Sequence, residues 1–261
     1  MKRIIVSVLV IIINLSILYG QNNRDSVFTH LGYSETIESK ILNQTKTILI
    51  HIPFKFDINK EYPLIVLSDF MAFKPLSSIT EIMAYNKTIP WSIVVCPITT
   101  IARDDYSPIL NDTSKTINGA ITIDFYEKEL LPFLQSKYKI SKKVLWGQNY
   151  SGMFTTFTML YKPDLFDGYL SDMPQLDLLE ETIQSDEIFK NCEGKKVFYQ
   201  LSWNTSKPKK ETTKLLLDKL DKYAPENLIW EYKEDNDSIF ITHILTNYTY
   251  GLDSFFKRMA E

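Results

Sequence analysis

The chain has 261 residues, with 29 Lys and Arg against 32 Asp and Glu, a formal net charge of −3. That mild acidic balance gives no electrostatic case for nucleic acid or an anionic lipid surface as a partner. Eight glycines, three histidines and two cysteines rule out a glycine-rich phosphate loop and give no metal-ligand spacing, so neither a cofactor nor a metal is expected.

The first 20 residues have the composition of a targeting segment. Lys2 and Arg3 are followed by an apolar stretch from Ile4 to Leu18, and Gly20 precedes polar Gln21-Asn22-Asn23. The stretch is shorter than the roughly 20 apolar residues that a spanning helix needs. No cysteine at the junction offers a lipid attachment point. Residues 1–20 therefore read as a signal peptide and 21–34 as a polar lead-in. The expected location is secreted or periplasmic, with no stable membrane insertion after cleavage. Losing Lys2 and Arg3 takes the net charge to −5. The remaining length suits one α/β domain over residues 35–261.

From Thr45 to Pro53 the pattern alternates, with Ile48, Ile50 and Ile52 on one face, as in a half-buried strand. His51 falls on the other face and is expected at the surface. Pro63 to Leu67 and Trp91 to Cys96 are continuous apolar runs that fit strands buried on both faces. A polar excursion runs from Arg103 to about Gly119, and long loops of this kind tend to carry function or motion. Asp124 and Glu127 look like a capping box for a helix that Pro132 kinks. Further strands are expected at Lys143–Gly147, Asp167–Ser171, Lys196–Leu201 and Asn227–Tyr232. Helices are expected at Tyr150–Tyr161, near Leu176–Phe189, at Thr212–Tyr223 and at Asn247–Met259. Strands alternating with helices over one core imply α/β architecture: a mostly parallel central sheet with helices on both faces. Cys96 sits in a core strand and Cys192 in a polar loop, and both are expected to be free thiols.

The chain is organised around Val144-Leu145-Trp146-Gly147-Gln148-Asn149-Tyr150-Ser151-Gly152-Met153, a buried strand turning tightly into a helix. This resembles the nucleophile elbow of the α/β-hydrolase fold, in which G-x-S-x-G lifts a serine out at the sheet edge. Here Asn149 occupies the serine position. Other segments, in order, strengthen the resemblance. They are Leu67-Ser68-Asp69-Phe70, Arg103-Asp104 through Pro108, Glu129-Leu130-Leu131-Pro132, Pro163-Asp164-Leu165-Phe166 and Thr242-His243 ahead of Gly251-Leu252. Together they are similar to the putative-esterase family of α/β-hydrolases, which includes ferri-siderophore (enterochelin-type) esterases and relatives of esterase D. The likeness runs from about Glu35 to the C-terminus.

That resemblance implies a serine, a histidine, an orienting carboxylate and two backbone N–H donors for an oxyanion. The nucleophile position is Asn149, whose carboxamide is no acyl-transfer nucleophile. His243 matches the catalytic histidine. The acid should follow the strand ending at Leu201, but Ser202 to Ser206 contains none, and Glu211 comes too late. Asn204 is the residue left to orient His243. Oxyanion donors would be the Tyr150 N–H and that of Phe70 or Met71. The aromatics Phe70, Phe73, Trp146, Tyr150 and Trp203 are candidates to line a pocket at the carboxyl edge.

With serine and acid both gone, the expected function is that of a degenerate esterase that keeps a pocket for a small-molecule ester or ester-like ligand. Two other readings stay open. One is an active carboxylic-ester hydrolase acting on siderophore, acetyl or aryl esters through His243 and a rearranged nucleophile such as Ser151. The other is a surface interaction protein with a closed pocket.

Overall fold

The computed structural model describes residues 31–99, 105–106, 118–236 and 239–259. The signal-peptide and lead-in readings lie outside these residues up to position 30, as does most of the Arg103 to Gly119 excursion. By contacts the chain divides into Met1–Tyr33 and Ser34–Glu261, and the second unit carries the sheet and its helices.

The strands are β1 (Tyr33–Ser39), β2 (Gln44–His51), β3 (Glu61–Leu67), β4 (Ile93–Pro97), β5 (Lys139–Gln148), β6 (Gly168–Asp172), β7 (Val197–Asn204) and β8 (Leu228–Asp235). They form one sheet in the order β1-β2-β4-β3-β5-β6-β7-β8. β2 runs antiparallel to β4, and from β4 across to β8 every pairing is parallel. That is the α/β architecture expected from the alternation of apolar runs.

β3, β4 and β6 are buried along almost their whole length because each has helices on both faces. Side chains alternate between two apolar layers. Leu64, Val66, Leu145, Tyr169 and Tyr199 enter one layer, with Met153, Phe154 and Phe157 of α4 (Tyr150–Tyr161). Ile65, Leu67, Val144, Trp146 and Leu170 enter the other, with Phe73 and Leu76 of α1 (Phe73–Tyr85) and Tyr248, Leu252 and Phe255 of α7 (Phe240–Arg258). A hydrogen bond of 2.6 Å between Thr80 and Tyr248 ties α1 to α7.

Before β5, Asn118 rather than Asp124 caps the helix: its side chain accepts the Ile121 N–H at 3.1 Å, and helix α2 covers Gly119–Phe125. The helix widens into a π-helical turn at Tyr126–Leu130 before α3 (Leu131–Gln135). The turn lies just ahead of Pro132, whose ring clashes with the carbonyl four residues back in a regular helix. Glu129 takes the Lys40 and Ile41 N–H groups, at 3.0 and 3.2 Å, and so anchors the β1–β2 turn.

Two expectations need correction. His51 is buried, because Glu81 of α1 lies across it with Oε2 2.9 Å from Nε2. Cys192 is buried too, its thiol against Met159; both cysteines are free.

Candidate active-site cleft

The carboxyl ends of β3, β5, β6 and β8 deliver the polar groups of the site. Asn149 follows β5 directly and has φ 57° and ψ −114°, a conformation that L residues avoid. Three backbone hydrogen bonds fix it there. Its N–H donates to the Asp172 carbonyl (3.0 Å), while its own carbonyl accepts from Met153 (2.9 Å) and Gln175 (3.2 Å). The turn also needs the glycine before it, since a Cβ on Gly147 would sit 2.2 Å from the Ser151 carbonyl oxygen. The result is an exposed carboxamide held out at the sheet edge, without a side-chain hydrogen bond to the helix it starts.

Ser151 is not displayed in this way. Its hydroxyl turns back to donate to the Gln148 carbonyl (2.8 Å) and accept the Gln148 N–H (2.9 Å), and the residue is buried. The first turn of α4 thus uses this hydroxyl as an internal tie.

His243 lies four residues into α7 and is fully buried. Its Nδ1 sits 2.7 Å from Asp235 Oδ2, at the last residue of β8, and its Nε2 sits 2.9 Å from Asp172 Oδ1, at the last residue of β6. Between two ionised carboxylates, which only accept, both ring nitrogens donate, an arrangement that favours the imidazolium. Burial opposes that charge, but the hydrogen bond and charge of Asp172, followed by those of Asp235, outweigh it and push the pKa up to about 9. Asp172 is further held by Gln148 Nε2 and Ser202 Oγ, each at 2.6 Å. Asn247 Nδ2 donates to Asp235 at 2.5 Å.

The acid that seemed missing is therefore present in another place. Asp235, not Asn204, orients Nδ1. Asn204 stands beside Asp235 in the β7–β8 register, and its carboxamide oxygen accepts the Ser206 N–H at 2.9 Å. The carboxylate reaches His243 because β8 runs to Asp235, three residues past the boundary expected at Tyr232. Asp172 had no sequence signal beyond its place at the end of an apolar strand.

One oxyanion donor is altered as well. The Met71 N–H is taken by Asp69 Oδ1 at 2.9 Å, in the short 3₁₀ turn Phe70–Ala72. The Tyr150 N–H opens α4, where no intrahelical acceptor exists for it.

A cleft of about 500 Å³ opens above Asn149, walled by Met71, Pro75, Met173, Phe240, Ile241 and Ile244, with Asp69, Gln148, Asn149 and Gln175 as its polar groups. The expected aromatic lining is absent from it. Phe73, Trp146 and Trp203 are buried, Tyr150 packs on the core, and Phe70 is exposed without lining the cleft. The walls come instead from the start of α7 and the 3₁₀ turn.

The raised pKa favours a protonated imidazole, which is engaged on both sides, and the carboxamide displayed at the elbow carries no hydroxyl or thiol.

A family model described as putative esterase matches residues 39–230. No curated protein matches the chain. Among solved structures, an IroE-like serine hydrolase from Shewanella oneidensis is 25% identical, with a TM-score of 0.70 over 87% of this chain and 80% of that one. An uncharacterised protein from Capnocytophaga ochracea is 22% identical, with a TM-score of 0.69 over 85% of this chain; the chain spans only 63% of that protein's length. The enterobactin esterase FES from Shigella flexneri, solved in the presence of enterobactin, is 15% identical, with a TM-score of 0.70 over 87% of this chain and 60% of that one.

Proposed function

Since the chain belongs to the putative-esterase family of α/β-hydrolases, we propose that it is an exported member that binds a small ester-like molecule and no longer hydrolyses it. The observation that carries this reading is the 2.9 Å contact between His243 Nε2 and Asp172, beside an elbow that displays Asn149. In acyl transfer by this fold, the nitrogen facing the nucleophile must be free to take a proton. Here Nε2 lies 2.9 Å from the buried Asp172 carboxylate, whose charge favours a proton on it. The altered Met71 N–H argues the same way, because a carboxylate sits where a developing oxyanion would seek donors. The apolar cleft above Asn149 supports retained binding. Export rests on Lys2, Arg3 and the apolar stretch behind them. Among the described residues no helix is long and apolar enough to cross a membrane.

The test is hydrolysis of p-nitrophenyl acetate and butyrate by the purified chain, alongside Asn149→Ala and His243→Ala. All three should match buffer. Turnover by the unmodified chain that His243→Ala abolishes would overturn the reading.

A further inference from the structure

Three side chains of the cleft keep unused hydrogen-bonding capacity toward it. The Asn149 carboxamide makes no side-chain hydrogen bond to its helix and is exposed at the elbow. Asp69 uses one carboxylate oxygen to accept the Met71 N–H, which leaves the other open to the cleft. Gln148 is similar: Nε2 is committed to Asp172, so Oε1 remains as an acceptor on a residue that lines the cleft. Three oxygen acceptors thus converge within walls of methionine, isoleucine, proline and phenylalanine.

The charge among the described lining residues is negative. Asp69 is the ionisable residue among the described lining residues, and none of those is Lys or Arg. Behind the floor, one imidazolium lies between Asp172 and Asp235, a group with one negative charge in excess. Lys210 approaches Gln175, but its ammonium is paired with Asp177. An anionic head group entering the cleft would meet Asp69 at close range, with Asp172 one hydrogen bond beyond Gln148. A cationic head would find acceptors and a favourable field.

We propose that the cleft takes a small molecule with an apolar body and a cationic amine or ammonium head, the head against Asp69 and Asn149 and the body along Met71, Met173 and Phe240. This rests on the binding reading above and names the chemical class of the ligand. Thioethers and an aromatic ring are apt walls for such a body, the methionines being flexible enough to fit its shape and the ring offering a broad apolar face. The carboxamide suits the same role, since its oxygen accepts from an ammonium N–H.

Three probes of matched body and different charge test it: phenylbutylammonium, phenylbutanol and phenylbutanoate. Each is titrated at low salt into the ¹⁵N-labelled chain, following the Asn149 side-chain amide signal assigned with Asn149→Ala. Phenylbutylammonium should bind at least about tenfold more tightly than phenylbutanoate, with the alcohol between them. Asp69→Asn keeps an acceptor for Met71 but removes the charge, so the gap should shrink to about twofold or less. If phenylbutanoate binds as tightly or better, or the gap survives in Asp69→Asn, the charge inference is overturned while the cleft remains a binding site. If none of the three moves the Asn149 signal, both the inference and the binding reading fall.

Discussion

Raising the pH from 7 to 10 should destabilise this protein through one residue. His243 releases its proton at about 9 in the folded chain and at the ordinary 6.5 when unfolded. The folded state therefore holds the proton more tightly. The stability this confers is complete below about pH 6.5 and is lost as pH rises through about 9. At about 1.4 kcal/mol per unit, the full contribution is on the order of 3 kcal/mol, most of which is still present at pH 7. For a domain of this size that amounts to a fall in Tm of about 5–10 °C across the interval. Differential scanning calorimetry at half-unit steps between pH 6 and 10 would read it. Asp235→Asn retains an acceptor for Nδ1 but removes one of the two charges that hold the proton, so its step should move to lower pH. A flat Tm between pH 7.5 and 9.5, or a step at the same pH in Asp235→Asn, would refute the reasoning.

The elbow gives three more expected outcomes. Asn149→Ser should remain at buffer background with p-nitrophenyl butyrate, because Asp172 still engages His243 Nε2; activity that His243→Ala then removes would contradict this. Asn149→Gly should raise unfolding stability in urea by about 1 kcal/mol, since glycine occupies φ 57° without strain, offset in part by the entropy of its unfolded chain; a loss of stability would show that the conformation is unstrained. Gly147→Ala should cost about 3 kcal/mol or more, because the added methyl meets the Ser151 backbone oxygen; a native-like urea midpoint would count against that close approach.

The sheet was readable because its central strands are short apolar runs bounded by polar turns, a pattern that burial on both faces imposes. The elbow was readable because Gly147 stands two residues before Asn149, between a buried strand and a helix, although Gly152 falls one place later than the pattern has its second glycine. The carboxylates around His243 were not, and the reason is physical. Asp172 and Asp235 each occupy the last residue of a strand, where sequence patterns lose force because the hydrophobic alternation stops at the sheet edge. β8 is half-buried and ends Tyr-Lys-Glu-Asp, so its last turn toward the site reads as loop. The start of α7 at Phe240 was hidden likewise: its first turn presents Phe240 and Ile241 to a cleft and to solvent rather than to the core. Of the aromatics that looked like a pocket, Phe73, Trp146 and Trp203 are buried, whereas Phe70 is exposed away from the cleft.

The contact between His243 and Asp172 also bears on how such a protein can change over time. An asparagine codon is one base from a serine codon, so the displayed residue is within a single mutational step of a nucleophile. That step alone leaves His243 Nε2 held by Asp172, and a change at Asp172 alone leaves the imidazolium paired with Asp235 beside an elbow that still displays a carboxamide. On the function proposed above, both changes are needed before an elbow hydroxyl and a free Nε2 stand in the same molecule.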